Sequence, residues 1–355
     1  MSTAASAHAP LRLVTDLDVE KVAPGRSTGR VPRTEFGGGS VASAVLAGVL
    51  SHTVKPFIGL WARVPLAPWP YFLADYVGLA ARTVPGTTYE QMELPHCRAE
   101  VLRTPSVEDR VIVYLHGGAF VVGGRFLHRQ LMSRIAEETR SSVIAVNYRQ
   151  LPDHPVSASI ADAVDAYSYV LDSGVPASNV VVMGDSAGGY LTFQVALAAK
   201  AEGLPMPAGL VALSPLIDFD GTAKVAAESA ATCALFPLHS FDGLAKVVLR
   251  ASRRAGEEHA LPAAPSTGDL RGLPPSLIQA SSAEMVFPDA EAMTGALLAA
   301  GVDVELQVWD HQVHVFQAAA GIVPEAARAL EEIGAFFDQV IPDTPWSVAW
   351  PPTSR

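Results

Sequence analysis

The stretch that decides the fold is Val180-Val181-Val182-Met183-Gly184-Asp185-Ser186-Ala187-Gly188-Gly189. Four apolar residues without polar alternation predict a strand buried on both faces. Leu191 to Lys200 then predicts a helix. Between the two lies a serine flanked by small residues, with glycines two positions to either side. This strand–turn–helix setting forces the serine into a strained backbone conformation that lifts its hydroxyl clear of the sheet. Side chains at 184 and 188 would crowd that turn. The helix that follows aims its amide-rich N-terminus at the hydroxyl, where an oxyanion would be stabilised. Gly-x-Ser-x-Gly alone is common, and a turn that merely contains a serine is the plain alternative. The flanking strand and helix argue against it.

A second motif, His116-Gly117-Gly118-Ala119-Phe120, follows the predicted strand Val111–Leu115. A glycine-rich turn lets backbone N–H groups approach a ligand, and acyl transfer needs two or three such donors for its oxyanion. The expected donors are Gly117, Gly118 and Ala187, with Ala119 as a substitute. His116 is expected to support the loop. Gly118 and Gly123 have the spacing of a phosphate-binding loop, but Gly124 stands where the lysine belongs.

A serine nucleophile needs a base, and the base an orienting acid, in the chain order serine, acid, histidine. Glu284, just past the predicted strand Ser276–Ser281, is the expected acid, with Asp289 and Asp310 as alternatives. Asp289 falls at a helix start, where a carboxylate is favoured anyway. His311 and His314 both follow the predicted strand Val302–Trp309, and His314, at the end of the loop, is preferred. Their spacing also suits a metal pair, yet no third ligand cluster accompanies them. The remaining histidines, His128 among them, are expected at the surface or in local hydrogen bonds.

Outward from these motifs the chain alternates strands and helices. Helices are expected near 128–139, 160–171, 290–300 and 324–340, and strands near 143–146 and 210–213. This predicts an α/β fold with a mostly parallel sheet covered on both faces. The rhythm fails over 39–85 and 218–265, which read as helical pieces. The expected organisation is a weakly structured segment 1–38, N-terminal helices 39–85, an α/β core 86–217, an insertion 218–265, the rest of the core 266–342, and a surface-packed tail 343–355. No internal repeat is visible.

Of the 355 residues 49% are apolar, enough for a large core. The formal charge of -11, with no basic run, argues against nucleic acid and anionic membranes as partners. Two cysteines, Cys97 and Cys233, in no metal-like spacing fit a reducing compartment. Met1–Pro10 lacks signal-peptide character, so a cytoplasmic location is expected. Val41–Leu50 is apolar but interrupted by His52, Lys55 and Pro56, short of a membrane span. A homodimer is compatible with all of this.

Together the motifs resemble the bacterial hormone-sensitive-lipase-like esterases of the α/β-hydrolase fold, over about Thr83 to Val340. The blocks are His116–Phe120, Tyr148-Arg149 with Pro152-Asp153-His154-Pro155, Gly184–Gly189, Ser214-Pro215 with Asp218, Gly272-Leu273-Pro274-Pro275, and Gly301-Val302 leading to His314-Val315-Phe316. The resemblance implies a triad of Ser186, an acid and His314, and an oxyanion hole at the His-Gly-Gly turn. It implies no cofactor, and a small-molecule ester substrate with a short- to medium-chain acyl group. It also implies a helical cap built from the N-terminal helices and the insertion. Three departures stand out: Ala119 for a third glycine, Glu284 for the usual aspartate, and altered residues after Arg149. An amidase or lactonase with the same groups, and a non-catalytic binder on the same fold, are the rival readings.

Overall fold

The computed structural model describes residues 33–342, so the expectations for 1–32 and for the tail 343–355 lie outside the described residues. The strands are β1 (Arg33–Phe36), β2 (Thr88–Glu93), β3 (Arg98–Arg103), β4 (Val111–Leu115), β5 (Ser142–Asn147), β6 (Val180–Asp185), β7 (Gly209–Leu213), β8 (Ser276–Ser281) and β9 (Val304–Trp309). They form one sheet in the order β1-β9-β8-β7-β6-β4-β5-β3-β2. From β5 across to β1 all neighbours are parallel, while β3 pairs antiparallel with both β5 and β2.

The apolar run of β6 is explained by its position. Val180 and Val182 enter the core on one face, Val181 and Met183 the core on the other, as the two-residue period of a strand requires. The first face is covered by α4 (Val156–Asp172), α5 (Ala187–Glu202) and α9 (Phe287–Ala299). The second is covered by α3 (Arg125–Thr139) and α10 (Pro324–Val340). Parallel strands end on one side, so the segments following β4, β6, β7, β8 and β9 gather along one edge of the sheet.

Two stretches stand outside this alternation, where the sequence pattern breaks. The first holds α1 (Val41–Arg63) and α2 (Phe72–Tyr76); the second holds α6 (Thr222–Ala226), α7 (Ser229–Thr232) and α8 (Ser240–Ala255). They meet where Gly243 of α8 lies against Ala62 of α1, close enough that a Cβ at 243 would sit 2.9 Å from the Ala62 Cα.

Two expectations need correction. Residues 33–36, expected to be weakly structured, form the edge strand β1, and Phe36 stacks on Trp309 at 3.8 Å. Val41–Leu50, expected as a short segment, is the first half of a 23-residue helix that runs on through Pro56. Proline removes one intrahelical hydrogen bond, to the His52 carbonyl, and both residues are exposed. By length and composition α1 is therefore long and apolar enough to cross a membrane. In the fold it is tied to the body along its length. The Ser43 hydroxyl donates to Gln312 and to the His311 carbonyl, Lys55 donates to the Cys233 carbonyl, and His239 pairs with the Gly59 carbonyl.

Candidate active site

β6 ends one residue before Ser186, whose backbone takes φ 52° and ψ −116°, a region a residue with a side chain seldom enters. The surroundings hold it there. Its N–H donates to the Leu213 carbonyl at 2.8 Å, and its carbonyl accepts from Gly189 and Leu216, both at 2.9 Å. A Cβ on Gly188 would lie 1.7 Å from the Leu115 carbonyl oxygen, so position 188 admits only glycine. Ser186 itself is buried, at the head of α5.

The His-Gly-Gly turn follows β4 alongside. Gly118, Ala119 and Phe120 have φ of 113°, 54° and 60°, three successive residues in the left-handed half of the map. The amides of Gly118 and Ala119 meet no acceptor among the described residues. Ala187, as the first residue of α5, has no intrahelical acceptor for its own.

Gly117 departs from expectation. Its N–H donates to Asp185 Oδ1 at 3.0 Å and is not free to meet a ligand. Asp185, the residue before the serine, turns its carboxylate back beneath the turn, where Tyr114 donates to Oδ1 at 2.7 Å and His128 Nε2 lies 3.5 Å from Oδ2. Burial alone would raise the Asp185 pKa, but His128, Tyr114 and His116 outweigh it and hold the carboxyl below its ordinary value. Burial likewise disfavours charge on His128, and Asp185 outweighs it, raising that imidazole. His128 thus makes a local hydrogen bond, to the Gly124 carbonyl at 3.0 Å, as expected, and is in addition a buried partner of Asp185.

His116 stacks between Tyr148 at 4.4 Å and His128 at 5.2 Å, and pairs through Nδ1 with the Gly117 carbonyl at 2.8 Å. Burial first, then the charge of His128, pushes its pKa down to about 4, so it is neutral at pH 7. Tyr148 donates to the His116 carbonyl at 2.6 Å. Sequence reading missed Tyr114, His128, Tyr148 and the role of Asp185. Asp185 stands inside the quoted motif, and its place next to the serine was the available signal.

Glu284 and His314 meet. His314 Nδ1 and Glu284 Oε2 lie 2.5 Å apart with both side chains buried, and Glu284 Oε1 accepts the Ser281 N–H at 2.7 Å. Val315 donates its N–H to Ser214 Oγ at 3.1 Å, docking the histidine loop on the end of β7, the strand beside β6. Phe236, from the segment between α7 and α8, meets the imidazole edge-on at 4.8 Å. His314 Nε2 and the Ser186 hydroxyl have no hydrogen-bond partner among the described residues.

The alternatives lie elsewhere. His311 is 73% exposed and faces Asp310 at 3.6 Å. Asp310 accepts from the Ser282 hydroxyl at 2.6 Å. Asp289, expected as a simple helix-start charge, forms a buried ion pair with Lys224 of α6 at 2.8 Å and accepts the Ile217 and Asp218 amides. Lys224 also donates to the Asp218 and Asp220 carbonyls. Asp289 therefore fastens the insertion to α9.

A strained serine, an imidazole held by a carboxylate, and free amides at one sheet edge suit acyl transfer. The comparisons agree. Residues 112–318 match the profile of the alpha/beta hydrolase fold family. The chain is 34% identical over 320 residues to a carboxylesterase/phospholipase, LipF, of Mycobacterium tuberculosis, covering 86% of this chain and 84% of that one. It is 36% identical to an acetyl-hydrolase of Streptomyces hygroscopicus, over 68% of this chain and 80% of that one. Among solved structures, an esterase of the bacterial hormone-sensitive lipase family superposes with a TM-score of 0.73 at 30% identity, covering 86% of this chain and 100% of the other.

Proposed function

Because the chain belongs to the α/β-hydrolase family, as an ester hydrolase of the hormone-sensitive-lipase-like group, we propose that it works through Ser186, His314 and Glu284 by an acyl-enzyme intermediate. The observation that carries this is the buried His314–Glu284 pair, with His314 Nε2 left unpartnered on a loop docked beside the serine strand. Ser186 Oγ attacks the ester carbonyl as His314 Nε2 takes its proton. Glu284, accepting from Nδ1, fixes the tautomer and stabilises the imidazolium that forms. Collapse of the tetrahedral intermediate expels the alcohol, which takes the proton from His314. Water then attacks the acyl-enzyme with His314 again as base, releasing the acid and restoring Ser186.

Oxyanion stabilisation is assigned to the amides of Gly118, Ala119 and Ala187. Gly117 is removed from the set because Asp185 holds its N–H. The segments carrying α1–α2 and α6–α8 act as the cap, with Phe236 over the imidazole. Substrates are small esters with short to medium acyl chains, a reading supported by an acetyl-hydrolase among the relatives and by a structural neighbour soaked with p-nitrophenyl butyrate. The test is a series of p-nitrophenyl esters of graded chain length, with Ser186→Ala as control. A kcat/KM that rises from butyrate to palmitate overturns the chain-length reading, and a folded Ser186→Ala variant with more than about a tenth of wild-type kcat overturns the mechanism.

A further inference from the structure

The cap presents a surface unlike the rest of the molecule. In a chain with 36 acidic residues, none falls between Val41 and Ala74. Along this stretch Phe57, Leu60, Val64 and Leu66 are 58, 51, 49 and 45% exposed, and Phe72 and Leu73 continue the strip at 67 and 53%. The Phe57 ring meets Trp69 edge-on at 5.6 Å, joining α1 to the loop before α2.

Apart from the exposed Arg63, the polar side chains in this strip bond within the chain. The side chains of Ser51 and Thr53 donate to carbonyls of α1 itself, and His52 Nδ1 pairs with one. In the loop, positions 65, 68 and 70 are prolines without an N–H. The amides of Ala67, Trp69 and Tyr71 bond within the loop, and the Trp69 indole N–H donates to the Val64 carbonyl. Apart from the His52 carbonyl that Pro56 leaves open, a backbone satisfied in this way loses little on leaving water.

Beside the strip lies a cationic patch. Leu66 shares a shallow groove of about 480 Å³ with Lys246, Arg250, Arg253, Arg254 and His259. Lys246, Arg250, Arg253 and Arg254 follow one another along an exposed side of α8. None of the four has a carboxylate partner among the described residues, and Arg253 touches only His259. Several exposed cations elsewhere are paired, as Arg98 is with Glu93, Arg140 with Asp338 and Lys200 with Asp269. Of the nearby acids, Glu257 is engaged by Ser157.

We propose that this face of the cap docks on an anionic lipid bilayer, the apolar strip entering the interface and the α8 cations meeting lipid phosphates. Apolar side chains with unpaired Lys and Arg alongside are what an interfacial helix needs, and the overall charge of -11 restricts attachment to this patch. The ties from Ser43, Lys55 and Gly59 keep α1 lying on the body, so it rests on the membrane without crossing it.

The experiment is co-sedimentation of the full chain with phosphatidylcholine vesicles, with and without about one part in three phosphatidylglycerol. The wild type should bind the anionic vesicles more tightly, and salt should weaken that binding. At about 1 kcal/mol per cation, Lys246→Ala/Arg250→Ala/Arg254→Ala should weaken it on the order of 10²-fold. Leu60→Ser/Phe72→Ser should weaken binding to both vesicle types. Both variants should hydrolyse p-nitrophenyl butyrate in solution at the wild-type rate. The proposal is overturned if the wild type does not bind anionic vesicles, or if the triple variant binds them equally well. It is also overturned if sedimentation velocity shows a dimer that Leu60→Ser/Phe72→Ser dissociates while vesicle binding is unchanged, since a second copy then covers the face.

Discussion

The sheet edge around Ser186 and the outer face of the cap are built on opposite rules. At the edge, burial is close to complete and the supporting groups are paired, down to the Gly117 amide on Asp185, while the Gly118 and Ala119 amides and His314 Nε2 are left open. On the cap, large apolar side chains are left in water and cations stand unpaired. A protein tolerates an exposed apolar patch of this kind where it meets something else. The edge reads as chemistry and the cap as contact, and single substitutions should separate them by several orders of magnitude in their effect.

The largest effects belong at the edge. Ser186→Ala should fold and lose on the order of 10³-fold or more in kcat, measured on p-nitrophenyl butyrate after circular dichroism. His314→Ala should fall in the same range while His311→Ala stays near wild type; the reverse ranking would move the base to the exposed histidine. Glu284→Gln should cost roughly 10²- to 10⁴-fold in kcat, because the imidazole loses its orienting acceptor. If that variant stays fully active, the edge is less constrained than its burial indicates.

Asp289→Ala sharpens the comparison from the side of stability. It leaves Lys224 buried without its counter-ion, a loss of about 3–5 kcal/mol in chemical denaturation. A cost below about 1 kcal/mol would make Asp289 the simple dipole charge that its place at a helix start suggests.

A smaller effect comes from pH. The Asp185 pKa is lowered in the fold, so its contribution is present above about pH 4 and is lost as pH falls through the folded value. The His128 pKa is raised, so its contribution is full below about pH 6.5 and is lost as pH rises through the folded value. His128→Gln should flatten this alkaline limb in urea midpoints measured across pH. An unchanged limb would mean the pair carries no linkage. Smallest of all, Val49→Ser on the exposed side of α1 should change stability by no more than about 0.5 kcal/mol.

The two regions also differ in how far the sequence revealed them. β8 and α10 lie where their patterns predict, and the Glu284–His314 meeting follows from chain order on a parallel sheet. Such signals are local: a run of apolar residues, a glycine turn, a loop of fixed position. The Asp185 network was hidden because its members, Tyr114, His128 and Tyr148, are brought together only by the adjacency of β4, β5 and β6 and the packing of α3. The reach of α1 was hidden for another reason. Pro56 reads as a helix breaker, but its missing hydrogen bond falls on the exposed side, where water can take it.

One contact of α1 reaches past the cap. Ser43 holds the His311 carbonyl and the Gln312 side chain, and the Gln312 backbone is in turn clasped by Ser281, at the end of the strand that leads to Glu284. The first helix is therefore a brace on the loop that aims the imidazole. Shortening the chain past residue 43 would remove this brace. The imidazole would gain angular freedom, and turnover would fall faster than substrate affinity, as in a machine tool whose clamp has been loosened while its cutting edge is intact.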